Sequence, residues 1–316
     1  TIFKIMDYSI NYNRINQLSS FELLANQVVE GTIIGMHKSP FHGFSVEFAE
    51  HRQYNAGEST RHIDWKLFGR TDKMFVKRFE EETNLRCRII IDKSSSMYFP
   101  KMDSPSIDKP NKIVFSVYAA AALMTIMKKQ RDTTGLSLFT DKVEFHSHSR
   151  SSSVHQKYLF TQLESLLDLK NSGADNSTNV TNSLHEIAEM IHRRSLVIIF
   201  SDMFDDIYKQ EEMFTSLQHL KHYKHEVILF HVIDKKVEEE LDIEDRPYKF
   251  IDMESGELLR VNPVEVREKY REAATKAKHE LEMRCGRFGI DYVEADINNG
   301  FEGILLPYLL KRKKLY

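Results

Sequence analysis

The stretch Ile89-Ile90-Ile91-Asp92-Lys93-Ser94-Ser95-Ser96-Met97 decides how this chain is read. An apolar β-branched run stops abruptly at an acid, and two hydroxyls follow at alternate positions, Asp92-x-Ser94-x-Ser96. An unbroken apolar run of this kind predicts a buried strand of a parallel sheet. Residues just past the carboxyl end of such a strand stand where open α/β sheets bind ligands. One carboxylate and two hydroxyls within one turn offer hard oxygens to a cation such as Mg²⁺.

Outward from this strand, helices and strands alternate. The patterns predict helices over 113–129, 157–169, 179–192, 212–220, 264–285 and 301–310, and strands over 85–91, 135–140, 195–200, 226–233 and 289–294. A short turn at Asp141-Lys142 predicts that 143–148 returns as an antiparallel edge hairpin. Residues 248–261 break the rhythm with a hairpin insertion around Ser255-Gly256. The fold class expected is α/β, a doubly wound, mostly parallel sheet covered on both faces.

Residues 1–85 read differently. A helical stripe runs over 16–36, and Phe44, Val46 and Phe48, then Met74 and Val76, alternate with polar neighbours. One or two helical turns are expected over 61–67. The expected organisation is therefore a small β-containing N-terminal part over 1–85 and an α/β domain over 86–316.

Composition narrows the function classes. With 316 residues, 41% hydrophobic and 29% charged, the chain is an ordinary globular one, and its formal net charge of −3 gives no general attraction to nucleic acid. Apolar runs such as 196–200 and 227–232 are too short for a membrane span. The first residues lack a signal-peptide pattern, so a cytoplasmic location is expected, with Cys87 and Cys285 reduced and buried.

Two further segments supply oxygens. Asp175-Asn176-Ser177-Thr178 is a polar loop opening a helix, and Phe200-Ser201-Asp202 ends a second apolar run in an acid. In a doubly wound sheet these loops can meet the first strand end, which gathers Asp92, Ser94, Ser96, Thr178 and Asp202. A divalent ion held there mainly by neutral hydroxyls keeps positive character and an open position for an anionic group.

This five-residue set resembles the metal-ion-dependent adhesion site (MIDAS) of von Willebrand factor A-type domains: Asp-x-Ser-x-Ser, a separated Thr and a separated Asp. Ser177 stands where relatives often carry Gly. His42-Gly43-Phe44, Gly57-Glu58-Ser59-Thr60-Arg61-His62-Ile63-Asp64-Trp65-Lys66, Arg70-Thr71 and Val76-Lys77-Arg78-Phe79-Glu80-Glu81-Glu82 extend the likeness. With them, the chain resembles the bacterial domain-of-unknown-function fifty-eight family from about residue 30 onward. That resemblance implies a non-enzymatic adaptor or chaperone partner of a MoxR-type AAA+ ATPase. It also implies Mg²⁺ (or Mn²⁺ or Ca²⁺) at Asp92, Ser94, Ser96, Thr178 and Asp202.

Blander readings exist for each feature. Asp and Ser are favoured in turns and helix caps, which accounts for Asp92, Ser94, Ser96 and Asp202 taken singly. Asp205 and Asp206 read as solvent-facing acids at a helix start. Trp65 is expected to pack the small part onto the large one, with Arg61 or Arg70 paired to an acid. His146, His148, His219, His222 and His225 are expected to be exposed and not to bind zinc. Lys311-Arg312-Lys313-Lys314 reads as a solvated helix end. Catalysis has little support, since no phosphate loop or nucleophile elbow is present. A Mg²⁺-dependent phosphatase would need a second acid where Ser94 stands, so it ranks below the binding reading, with an empty structural scaffold third.

Overall fold

The computed structural model describes residues 45–53, 65–82, 85–168, 180–192, 194–203, 210–251, 258–301 and 304. Two compact units divide between Leu85 and Arg86. In the smaller unit, β1 (Ser45–Gln53) pairs antiparallel with β2 (Phe75–Glu82), with a register shift between Phe48 and Glu50. Helix α1 (Trp65–Thr71) overlaps the expected 61–67, whose first four residues lie outside the described residues. Trp65 is 59% exposed and makes an edge-on contact to Phe68.

The larger unit is built on six strands. They are β3 (Arg86–Asp92), β4 (Thr133–Phe139), β5 (Val143–His146), β6 (Leu196–Ser201), β7 (Glu226–Ile233) and β10 (Asp291–Asp296). Their spatial order is β10-β7-β6-β3-β4-β5. All neighbours are parallel except β5, which returns antiparallel on β4 as the Asp141-Lys142 turn suggested. Strands β8 (Tyr248–Ile251) and β9 (Leu258–Val261) form the separate hairpin.

The chain leaves β3 in one direction across the sheet and reaches β6 in the other. Right-handed crossovers then place helices on opposite faces. Helix α2 (Lys112–Lys129) packs with α3 (Ser153–Ser165) and against β3, β4 and β7. Side chains from α4 (Val180–Met190), α5 (Gln210–His222) and α6 (Pro263–Arg287) share one core cluster with the other face, where Leu184, Ile187, Phe214, Leu217 and Cys285 meet Ile90, Val197, Ile199 and Leu229. The alternate strand residues Ile89, Ile91, Phe200 and Phe230 are equally buried, and Phe200 stacks on Phe230. This explains the unbroken apolar runs: strands covered on both faces have no polar side. The fold is thus mixed α/β with a mostly parallel central sheet. Both cysteines are buried and free, one in β3 and one in α6.

One charge sits inside the sheet. Arg88 is buried beside Gly135, its register partner on β4, and donates to the carbonyls of Leu136 and Ser147. Burial lowers its pKa to about 10. A Cβ on Gly135 would lie 2.6 Å from Arg88 Nη1. Gly135→Ala is therefore expected to displace the guanidinium from its carbonyls and destabilise the fold by about 1–3 kcal/mol in urea unfolding.

His225 corrects an expectation, since it is 2% exposed rather than on the surface. Its Nδ1 accepts from the Ser195 amide at 3.1 Å, which only the neutral ring can do. Burial, with Lys221 nearby, holds its pKa down to about 4. His146 is likewise held to about 4, by burial and by Arg88. Because the folded pKa lies below the unfolded one, the unfolded chain takes up the proton first as pH falls. The stability contributed by neutral His225 is complete above about pH 6.5 and is lost on descending toward pH 4. Melting temperature is expected to fall between pH 7 and pH 5, with His225 accounting for up to ~2 kcal/mol. His225→Gln should flatten that dependence.

Candidate metal centre

Parallel register brings two strand ends together. Ile91 of β3 is opposite Phe200 of β6, so Asp92 emerges beside Ser201 and Asp202. These are the strands from which the chain departs in opposite directions, the place where a crevice opens at the carboxyl edge of a doubly wound sheet.

The side chains there are tightly interlocked. Asp92 Oδ1 accepts from the Ser94 amide at 2.9 Å, and Oδ2 accepts from the Ser201 hydroxyl at 2.7 Å. Ser201 Oγ in turn accepts from the Met203 amide at 3.0 Å. Ser94 and Ser96 Oγ lie 3.0 Å apart, in and next to a 3₁₀ turn over Ser95–Tyr98. Ser94 flanks this turn but makes no side-chain cap bond, so simple capping does not explain its hydroxyl. Asp92, Ser94, Ser96 and Asp202 are all buried. Burial foremost, and then the neighbouring Asp202 carboxylate, push the Asp92 pKa up to about 7 against the Ser94 and Ser201 hydrogen bonds.

Asp202 has partners the sequence reading missed. Lys112, the first residue of α2 and 1% exposed, places Nζ 2.7 Å from Asp202 Oδ2 and 2.6 Å from Glu238 Oε1. Burial opposes the charge on Lys112, but Asp202 and Glu238 outweigh it and raise its pKa. Glu238 lies in a π turn over Lys235–Glu239, and its Oε2 accepts from the Asp234 amide at 2.7 Å. His231 Nε2 donates to the Asp202 carbonyl at 2.9 Å, so its Nδ1 is the acceptor from the Tyr292 hydroxyl at 2.8 Å. Burial keeps that ring neutral, with a pKa near 4. One signal for Lys112 was available: it opens a helix whose following turns carry no charged face, so its stem had to be buried. Ser201 and His231 left no such mark.

Of the five residues singled out, Asp92, Ser94, Ser96 and Asp202 are found on these two adjacent strand ends. Thr178 lies outside the described residues, as do Asp205 and Asp206. Lys93 is tied to Glu144 on β5 at 2.6 Å. Among the described residues no group of three or more His, Cys, Asp or Glu could hold a metal ion. The strand-end set differs in kind, being two carboxylates with hydroxyls. It fits a hard cation in donor chemistry. Two ligands adjacent on an octahedron of Mg²⁺–oxygen bonds stand about 2.9–3.0 Å apart, and the Ser94 and Ser96 hydroxyls are 3.0 Å apart. Asp92 still has a lone pair free on each oxygen after its two hydrogen bonds.

The family model described as "Protein of unknown function DUF58" matches residues 50–280, and the chain belongs to that family. Uncharacterized proteins of Mycobacterium tuberculosis and Mycobacterium bovis are each 23% identical over 239 residues, covering 76% of this chain and 70% of theirs. The crystal structure of an aerotolerance-related membrane protein from Bacteroides fragilis is 13% identical, with a TM-score of 0.43 over 72% of this chain and 99% of that one. No helix among the described residues is long and apolar enough to cross a membrane.

Ser201→Ala removes the donor to Asp92 Oδ2 and the acceptor for the Met203 amide together. Both groups are buried, so a loss of roughly 2 kcal/mol in chemical denaturation is expected. A change below a few tenths would mean that water replaces the hydroxyl.

Proposed function

We propose that this DUF58 chain is a non-enzymatic, divalent-metal-dependent protein-binding module with a von Willebrand A-like, MIDAS-type site at Asp92, Ser94, Ser96, Thr178 and Asp202. The observation that carries this reading is the arrangement at the ends of β3 and β6. Asp92 is fixed by two hydrogen bonds, and the Ser94 and Ser96 hydroxyls stand at the spacing of adjacent ligands, with Asp202 on the next strand.

When bound, Mg²⁺ would supply a Lewis-acidic open position for an oxygen anion. Asp92 orients Ser94 through the backbone bond, and Ser201 holds Asp92 from the opposite side. Lys93 Nζ is paired with Glu144. The groups described here support gripping a partner's carboxylate better than they support turnover. The family resemblance supports a MoxR-type AAA+ ATPase, or a client protein handled with it, as the partner, and a cytoplasmic site of action.

Titration of the full chain with Mg²⁺ or Mn²⁺ by calorimetry is expected to show one site, abolished in Asp92→Ala. Capture of the MoxR-type ATPase from the same organism by the immobilised chain is expected to be lost on adding EDTA and in the same variant. Undiminished capture under both conditions would overturn the metal-bridged reading.

A further inference from the structure

At the edge of the sheet opposite the metal centre, each of the five parallel strands starts beside an exposed cation. In sheet order these are Arg287, which ends α6 before β10, Lys224 two residues before β7, Arg194 two before β6, Arg86 opening β3, and Arg131 two before β4. Register sets the strand starts side by side, with Arg86 opposite Thr133, Cys87 opposite Leu196 and Leu196 opposite Glu226. At the usual strand separation of about 4.8 Å the row is roughly 20 Å long. Among the described residues of these turns and strand starts, Asp291 is the only exposed acid.

Backbone conformation marks three of the cations. Arg131, Arg194 and Lys224 have φ of 61°, 59° and 61°, the left-handed region where a Cβ is disfavoured and glycine is the usual residue. Helices α2 and α6 close in the same way, with a positive-φ residue whose successor donates its amide back to the carbonyl of Met127 in α2 and of Cys285 in α6. Helix α6 uses Gly289 there, but α2 uses Arg131, and Lys224 follows α5 bonded back to Lys221. The helix dipole does not account for these cations, since the last turns already hold Lys128 and Lys129 in α2 and Lys221 and His222 in α5. A cleft of about 190 Å³ is lined by Arg194, His222, Tyr223 and Lys224, so two of the left-handed cations share one opening.

We propose that the amino edge of the sheet is a docking surface for an anionic phospholipid bilayer, whose headgroup phosphates meet this row. The net charge of −3 does not oppose docking, because charge is separated along the strands, with Asp92, Asp202, Asp234 and Asp296 at their other ends. Attraction of a basic cluster to such a surface is electrostatic and needs no inserted apolar group. A protein partner would be met by an apolar interface core, and no large apolar side chain is exposed in the described turns. Single-stranded nucleic acid would stack on exposed rings, whereas Tyr223 and Phe288 in these turns are half-buried against His219 and Phe214. Lipid docking does not depend on the metal reading. Strand β3, 7 residues long, sets the two edges about 20 Å apart, so a bilayer at one edge leaves the Asp92 end facing away from it.

The full-length chain is expected to co-sediment with vesicles of phosphatidylcholine and phosphatidylglycerol, and not with phosphatidylcholine alone. Binding should fall as salt is raised and should be indifferent to EDTA, so lipid docking and the metal reading fail separately. Lys224→Gly removes a cation and relieves its backbone together. It should weaken binding roughly fivefold and leave the melting temperature equal or higher. Arg131→Gly, Arg194→Gly and Lys224→Gly combined should weaken binding about a hundredfold. Lys224→Arg should bind like the wild type. Lys142→Gln removes an exposed cation at the opposite edge, in the turn before β5, and should stay within about twofold of the wild type.

Equal sedimentation with neutral vesicles, or none with phosphatidylglycerol, would overturn the proposal. An equal loss from Lys142→Gln would also overturn it, since net charge alone would then be at work. Release of the bound chain by an RNA oligonucleotide carrying as many phosphates as the lipid would assign the row to nucleic acid and overturn lipid docking. If the glycine variants do not fold, Lys224→Gln decides, and unchanged binding by it overturns the proposal.

Discussion

Everything at the carboxyl edge of the sheet depends on the parallel pairing of β3 with β6. The register Cys87↔Leu196 to Ile91↔Phe200 ends both strands at one level, so Asp92, Ser201 and Asp202 arrive together without any loop having to reach. Period-two alternation sends Ile90, Val197 and Ile199 to one face and Ile89, Ile91 and Phe200 to the other. A slip of one residue would exchange the two faces of a fully covered strand and move Asp92 away from Ser201. The burial of the strands and the assembly of the site are therefore one constraint.

Four strands of the parallel sheet reach this edge with an acid: Asp92 on β3, Asp202 just past β6, Asp234 just past β7 and Asp296 on β10. They are not equivalent. Asp234 and Asp296 are held together by Asn298, whose Nδ2 donates to Asp234 at 2.8 Å and to Asp296 at 2.9 Å. Asp296 also accepts the Asn298 amide. Those two acids are answered by neutral donors that also close the local turn. Asp92 accepts from the Ser94 amide and the Ser201 hydroxyl, Asp202 is paired with the Lys112 ammonium, and the mutual repulsion of the two carboxylates is part of why Asp92 resists ionisation. The carboxyl edge thus separates into a half answered by neutral donors and a half that includes a buried ammonium.

The strand and helix order was legible because its signals are strong ones. Short β-branched apolar runs with no polar alternation match strands buried on both faces, and the Asp141-Lys142 turn is short enough to favour an antiparallel return. The ends of elements were less legible. Strand β3 extends through Asp92, and α5 runs from Gln210 to His222 rather than 212–220, because tertiary packing and backbone pairing continue past the apolar pattern. Asp92, Ser94, Ser96 and Asp202 were legible as a set because chain order and strand ends together imply neighbourhood. Lys112 and Glu238 were not, since they approach Asp202 from 90 and 126 residues apart, counted as Lys112 to Asp202 and Lys112 to Glu238. His225 shows the same limit from the other side: residue type predicted exposure, and local packing reversed it.

The turn that carries Glu238 also anchors the long helix α6. That helix buries apolar side chains toward its C-terminal end, where Cys285 enters the core cluster with Leu281 and Phe288 against it. Its N-terminal half is attached by polar contacts. The Tyr270 hydroxyl donates to the Glu238 carbonyl at 2.7 Å, Arg271 to the Glu240 carbonyl at 2.6 Å, and Arg267 to the carbonyls of Leu241 and Ile243. Backbone carbonyls of 238–243 therefore hold α6, while the side chain of Glu238 holds Lys112 and through it Asp202. A π turn leaves carbonyls outside the regular helical pattern, and such irregularities persist where side chains use them. Here both uses fall on Glu238, its carbonyl facing the helix and its carboxylate facing the strand end. The position of α6 and the pairing of Asp202 thus depend on the geometry of the same residue.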